Sequence, residues 1–352
     1  MEKVFLVDVP EHVMPPTMMY GHPTGLMNTF NPQSECIHLP EIYIPPTQVE
    51  VKVATGNTGP RQHGSWKWKA HRLKTKLLQG IKTLDYTGKF VFDSRLETDA
   101  NPAHILDNTL TSSLLIRETL EKHFQKKIDV HIVLRERTTD LALESCHLLG
   151  FPTIVTDDDV KGEIATVSEN EVPSLRARLF DFDFGDSLDA PTDVLADKIF
   201  ISRRGNRKLV NEAEVISFLE KRGFKVLYFE DFSVKEKWAI ARNAKVVVAI
   251  NGAAVGNFLF NRLGLYPNAP HGSGVRVVEL MSPAWMHIGF RSNILAVNGS
   301  WCAVRGQITP NFLQAVDFSD QAPDPTKPPR TDSFKVDCDT IQMALDYLAE
   351  NY

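Results

Sequence analysis

Neither GxGxxG nor GxxxxGK(S/T) nor CxxC occurs in the 352 residues. The first absence argues against a dinucleotide cofactor, and the second excludes a P-loop. The four cysteines, Cys36, Cys146, Cys302 and Cys338, are far apart. That scatter speaks against a zinc site or a disulfide framework and for reduced thiols in a cytoplasmic compartment. No stretch approaches the ~20 apolar residues of a membrane-spanning helix. The opening MEKVFLVDVPEH has a short apolar run and an early acid, unlike a signal peptide. A formal net charge of −5 leaves no global basic field to attract nucleic acid. No internal repeat stands out.

What is present is ordinary globular composition, 43% hydrophobic and 24% charged, and enough chain for two domains. Residues 1–190 are expected to form one domain, 191–335 a second, and 336–352 a terminal helix that packs back across the boundary. Lys3–Val9 predicts a first strand. Pro10, Pro15, Pro16, Pro23, Pro32, Pro40, Pro45 and Pro46 then exclude long helices and predict loops with short extended pieces. Val49, Val51 and Val53 alternate with polar residues, the pattern of a half-exposed strand. Residues 61–79 are the most basic stretch and carry Trp66 and Trp68. Two readings stay open for it: a contact with an anionic membrane surface or a glycan, or a solvated amphipathic helix.

Strands near Lys89–Asp93, Lys127–Leu134 and Thr153–Thr156 alternate with helices near Ile105–Phe124 and Thr138–Leu149. That order predicts a parallel sheet. Asp181, Asp183, Asp186 and Asp189 read as an acidic connector rather than a metal loop.

Residues 197–280 carry the clearest pattern. Strands are predicted at Lys198–Ser202, Lys225–Phe229, Lys245–Ile250 and Val275–Leu280. Asn211 with Glu214 and Ser233 with Glu236 each fit a capping box before a helix. After the buried run Val246–Ile250 comes Asn251-Gly252, then Ala253 to Phe260 as a short helix. A strand, a small-residue turn and a helix start suit close approach of an anion, or make only a compact turn. Ligands of open parallel sheets bind beyond the carboxyl ends of the strands. Arg203, Arg204 and Arg207 stand at one such end, Asn251 and Gly252 at another, and Glu279 at a third. Arginines suit a diphosphate, because the guanidinium offers planar paired donors, and a strand-end carboxylate suits ribose hydroxyls. The alternative is that the arginines are solvated loop charges.

Three ordered motifs, Ser202-Arg203-Arg204 with Arg207 and Asn211-Glu212, Asn251-Gly252-Ala253 with Asn257, and Glu279-Leu280, resemble glycosyltransferase family 61. The resemblance spans about Lys198–Pro283. It implies an α/β fold of the GT-B type, two Rossmann-like domains facing a cleft. It also implies inverting transfer from a nucleotide-sugar, usually a UDP-sugar, to a glycan or glycoconjugate, with no metal or other cofactor. Ser202, Arg203, Arg204, Arg207, Asn251, Gly252, Ala253, Asn257 and Glu279 are then the donor-site residues, with Arg203 and Arg207 on the diphosphate. Asn251 stands where the family has a histidine, and an amide carries neither a proton nor a charge. That departure opens the alternative of a degenerate sugar-nucleotide or glycan-binding protein. An inverting transfer needs one general base. Asp107 and His104, in the segment Asn101–Asp107 that also resembles the family, are the candidates. Ordinary helix-start contacts explain them equally.

Overall fold

The computed structural model describes residues 2–22, 35–59, 80, 82–97, 101–169, 172–184, 188, 190–266, 268–308 and 331–352. The basic stretch 61–79 with Trp66 and Trp68 lies outside them, as do Asp186 and Asp189 of the acidic connector. In chain order the strands are β1 (Lys3–Val9), β2 (His12–Met14), β3 (Thr17–Gly21), β4 (Glu35–Leu39), β5 (Ile42–Ile44), β6 (Thr47–Thr58), β7 (Thr83–Asp93) and β8 (Val130–Leu134). They continue as β9 (Thr153–Val155), β10 (Asp159–Val167), β11 (Lys198–Ser202), β12 (Lys225–Tyr228), β13 (Val246–Ile250), β14 (Arg276–Met281) and β15 (Ser300–Arg305). The α-helices are α1 (Thr111–Phe124), α2 (Asp140–Leu148), α3 (Pro173–Leu179), α4 (Glu212–Glu220), α5 (Val234–Asn243), α6 (Gly289–Ala296) and α7 (Cys338–Asn351). The chain is mixed α/β, with two compact units.

The first unit is Met1–Glu11 with Pro45–Ser187. Its sheet runs β1-β6-β10-β7-β8-β9. The expected parallel set is there, since β10, β7, β8 and β9 pair parallel. An antiparallel half is added to it by β1, β6 and β10. Val49, Val51 and Val53 supply its buried face, so the alternation read from sequence holds. Gly162 sits at the bulge between β10 and β7, where a Cβ would come within 2.9 Å of Val91 Cγ2, so the close approach needs glycine. The helix expected over Ile105–Phe124 is not uniform. A turn at Pro102–His104, capped by Asn101, passes into a π-helical segment, Ile105–Leu110, before α1. Thr111 Oγ1 donates to the Leu106 carbonyl at 2.8 Å, five residues back, and so satisfies a backbone group within the widened turn.

The second unit is His12–Ile44 with Leu188–Tyr352. Its sheet runs β12-β11-β13-β14-β15-β3-β4, parallel as far as β3, with β4 antiparallel at the edge. The four strands expected over 198–280 are its first four. Two features were not expected. The strand β15, buried along its whole length, extends the sheet, and the proline-rich segment 12–44 supplies β3 and β4 beside it. Arg291 of α6, 1% exposed, explains the attachment. Its Nη2 donates to the carbonyls of Met14, Pro15 and Pro40 at 3.3, 2.6 and 2.9 Å. The helix α7 lays Ile341, Ala344 and Leu348 into the same core as Tyr20, Cys302 and Val304, so it belongs to this unit's packing. Truncating a buried leucine such as Leu348 to alanine costs about 2–5 kcal/mol.

The two expected caps differ. Ser233 and Glu236 form a complete capping box at α5. Asn211 makes no such bond at α4. Its Nδ2 donates instead to Glu214 and to the Val336 carbonyl, and its Oδ1 accepts the Val336 N–H. The side chain is used to hold 334–336 against the loop after β11, where Leu209 and Phe334 form a bridge.

Candidate functional site

Parallel strands end on one edge of a sheet, so β11, β12, β13 and β14 deliver their carboxyl ends side by side. From β11 come Arg203 and Arg207, both half-buried. Arg203 Nη1 donates to the Asn251 carbonyl at 3.2 Å. It lies so close over Gly252 that a Cβ there would sit 2.8 Å from it. The glycine is therefore needed for the approach of a guanidinium, not for its own backbone angles. Arg207 is left-handed, with φ 58°, and its amide donates to the Thr331 carbonyl. That turn brings Arg207 Nη1 to Asn251 Oδ1 at 3.1 Å. Two guanidiniums thus converge on one residue.

Asn251, 2% exposed, is a hub. Its Nδ2 donates to Glu279 Oε1 at 2.7 Å and to the His287 carbonyl at 3.2 Å, while its Oδ1 accepts from Arg207. Trp301 Nε1 donates to the other Glu279 oxygen at 2.9 Å. Glu279 is completely buried, in register with Ala249 and Ala303 on its two neighbouring strands, whose small side chains leave it room. Burial pushes its carboxyl up to about 7, against the opposing pull of the Trp301 and Asn251 hydrogen bonds and the Arg207 charge. Its oxygens meet Asn251 and Trp301 inside the fold. It underpins the arginine pair from beneath.

The other expected donor residues are used locally. Arg204 turns away, pairing through both terminal nitrogens with Asp231 and lying 4.3 Å over the Tyr228 ring. Its hydrogen bonds hold the Asp231 carboxyl below the usual range. Ser202, 1% exposed, donates inward to Glu212, which also accepts from the Tyr228 hydroxyl at 2.9 Å. Ala253 opens a 3-10 helix, Ala253–Phe260, and Asn257 within it is buried, donating to the Ala254 carbonyl. Arg203, Arg207, Asn251, Gly252 and Glu279 are therefore brought together, with Arg204, Ser202 and Asn257 in the surrounding frame. Tyr228, Trp285, His287 and Trp301 were not singled out from sequence, and Glu212 was named only as part of the motif that carries the resemblance. Trp285 and His287 could have been, because they follow directly after the β14 strand end.

In the first unit, Asp107 lies in the π-helical segment with a carboxylate oxygen 3.8 Å from Arg176 Nη1 and 26% of its side chain exposed. His104 is exposed, its Nδ1 3.5 Å from Asn108 Nδ2. Asn108 also donates to Glu97 at 2.6 Å. Asp93, at the end of β7, accepts from Arg95 through both oxygens, at 2.9 and 2.7 Å. Burial alone would raise the Asp93 carboxyl, but Arg95 and Thr58 outweigh it and hold it low. Among the described residues no three His, Cys, Asp or Glu side chains stand together as a metal site would need. No helix among them is long and apolar enough to cross a membrane.

The family model described as Glycosyltransferase 61 matches residues 12–275, which takes in the arginines and Asn251 and stops just short of Glu279. No curated protein matches the chain.

Proposed function

The chain belongs to glycosyltransferase family 61 and is a glycosyltransferase, and from that premise we propose an inverting, metal-independent transfer. The donor is a nucleotide diphosphate sugar, UDP by preference, and the acceptor a hydroxyl of a glycan or glycoconjugate. The observation that carries this reading is the convergence of Arg203 and Arg207 on Asn251 at the carboxyl end of a parallel sheet. As the bond from the sugar C1 to the phosphate oxygen breaks, negative charge gathers on the leaving diphosphate. Held guanidiniums are suited to meet it. The acids nearby are already occupied: Glu279 by Asn251 and Trp301, and Asp231 by Arg204. The arginines are thus the natural counter-charge, and that division of labour supports a reading without a metal. The presence of a sheet with parallel strands in each unit supports a GT-B assignment. All four cysteines are free thiols, in keeping with work in the cytoplasm.

Inversion is a single displacement. The acceptor oxygen bonds to C1 as the phosphate leaves, and one base takes the acceptor proton. We assign that base to Asp107, an accessible carboxylate beside Arg176, with His104 as the second candidate. The test is sugar transfer from UDP-N-acetylglucosamine and UDP-xylose to a panel of oligosaccharides, with UDP affinity measured in parallel. Asp107→Asn should abolish transfer and leave UDP affinity unchanged. Full transfer by that variant would move the base to His104.

A further inference from the structure

We infer that Trp301 is a positioning residue of the donor site: its indole N–H fixes the Glu279 carboxylate, which in turn sets the way Asn251 presents its amide oxygen to Arg207. The inference rests on the reading of Arg203 and Arg207 as the diphosphate site. An asparagine side chain has two ends of nearly equal size, and hydrogen bonds decide which way it faces. Here Arg207 offers only donors and an ionised Glu279 only acceptors, so the amide has one favourable orientation. Its Oδ1 accepts from Arg207 Nη1 at 3.1 Å, and its Nδ2 donates to Glu279 Oε1 at 2.7 Å. That orientation holds as long as the carboxylate stays ionised and in place. Burial favours the neutral acid, whose proton would be a donor facing the amide. The indole of Trp301 is a donor with no acceptor, and its Nε1 meets Glu279 Oε2 at 2.9 Å. It therefore favours the charged form and keeps the carboxylate from swinging away from Asn251.

The strand register makes this reach specific. Ala249 of β13 and Ala303 of β15 lie directly opposite Glu279 on its two sides. Residues two apart on a strand share a face. Asn251, two past Ala249, and Trp301, two before Ala303, therefore stand diagonal to Glu279. The alanines leave the space, and a diagonal neighbour is within reach of an aromatic side chain. Asn251 is fixed at its own end, because its amide N–H continues the ladder to the Leu280 carbonyl at 2.8 Å. Trp301 is fixed as well: it is 2% exposed, and Thr17 Oγ1 of β3 donates to its carbonyl at 2.5 Å. A core-filling role accounts for the burial of the indole but not for its N–H on the carboxylate oxygen that Asn251 leaves open. The chain of contacts runs from Trp301 through Glu279 and Asn251 to Arg207, from β15 across β14 and β13 to the loop after β11.

The test is a double-mutant cycle read by calorimetric titration of UDP at pH 8, with the melting temperature of each protein measured alongside. Trp301→Phe keeps an aromatic ring and removes the donor. In the wild-type background it should weaken UDP binding about tenfold, the effect of one hydrogen bond to a charged group. In the Arg207→Ala background it should cost no more than about twofold, because the side chain it serves is gone. In the Arg204→Ala background the chain of contacts is intact, and the cost should again be about tenfold. A purely structural loss would lower affinity by the same factor in all three. If Trp301→Phe does not fold, Glu279→Gln breaks the same chain at its next link and is read in the same backgrounds with the same expectation. Unchanged UDP affinity in the variant, or an equal loss with and without Arg207, would overturn the inference and leave the donor site standing. A wild type that binds no UDP would overturn the donor-site reading and this inference with it, which separates the two failures.

Discussion

Three arginines lie within five residues after β11, and the structure gives them different work, so their replacement should separate cleanly. Arg207 reaches the Asn251 side chain and Arg203 the Asn251 carbonyl, while Arg204 is committed to Asp231 and Tyr228 on the outer side. A charge-assisted hydrogen bond contributes about 1.5–3 kcal/mol. Removing one guanidinium from the diphosphate should therefore weaken UDP binding by about 10- to 150-fold, at about 1.4 kcal/mol per tenfold. Arg207→Ala carries an added consequence, since Asn251 Oδ1 loses a partner and the amide above Glu279 is freed to turn. Arg207→Lys keeps the charge but not the paired donors, and should fall between wild type and alanine. Arg204→Ala should change UDP affinity by no more than about threefold, the small effect usual for an exposed ion pair. The assay is calorimetric titration of UDP into the four proteins at one salt concentration, each checked for an unchanged melting temperature. If Arg204→Ala costs as much affinity as Arg207→Ala, the division of roles drawn from the strand-end geometry is wrong.

Two further outcomes follow from buried groups. Glu279 has a folded-state carboxyl raised to about 7 from an ordinary 4.5. The stability it contributes is complete below about pH 4.5 and is lost as pH rises through 7, a change of about 3 kcal/mol at 1.36 kcal/mol per unit. Urea unfolding at pH 5 and pH 8 should show a smaller loss in Glu279→Gln than in the wild type, and equal losses would refute the raised carboxyl. Arg291→Met should leave the carbonyls of Met14, Pro15 and Pro40 without their donor and destabilise the protein by about 2–4 kcal/mol. Limited proteolysis should then cut first within 12–44, and cleavage elsewhere would deny Arg291 its role as the clasp of that segment.

The second unit's parallel set was legible because its signals agree. Val247, Val248 and Ala249 have no exposure, as their continuous apolar run implies, and Ser233 with Glu236 formed the box its spacing predicts. Asn211 has the same spacing to Glu214, yet its amide serves a contact 125 residues away, which no local pattern announces. The prolines of segment 12–44 exclude long helices and leave room for short extended pieces, but nothing local shows that two of those pieces join the sheet at β15. The prolines at 15 and 40 contribute carbonyls to Arg291. The strand β15 escaped notice because Ser300-Trp301-Cys302-Ala303 mixes polar and apolar residues, and with it went Trp301, one of the two donors to Glu279. At the site itself, sequence identified which strand ends would meet. It could not tell that Glu279 is wholly buried and held by Asn251 and Trp301, because a carboxylate near a strand end reads the same facing in or out. The direction is set by Ala249 and Ala303, its neighbours only in the folded register.

The central claim is a diphosphate site formed by Arg203 and Arg207 without a metal. The most direct test is a calorimetric titration of UDP into the wild-type protein with and without EDTA. The account predicts saturable one-site binding, identical in the two titrations. Binding abolished by EDTA, or no binding of UDP in either, would contradict it.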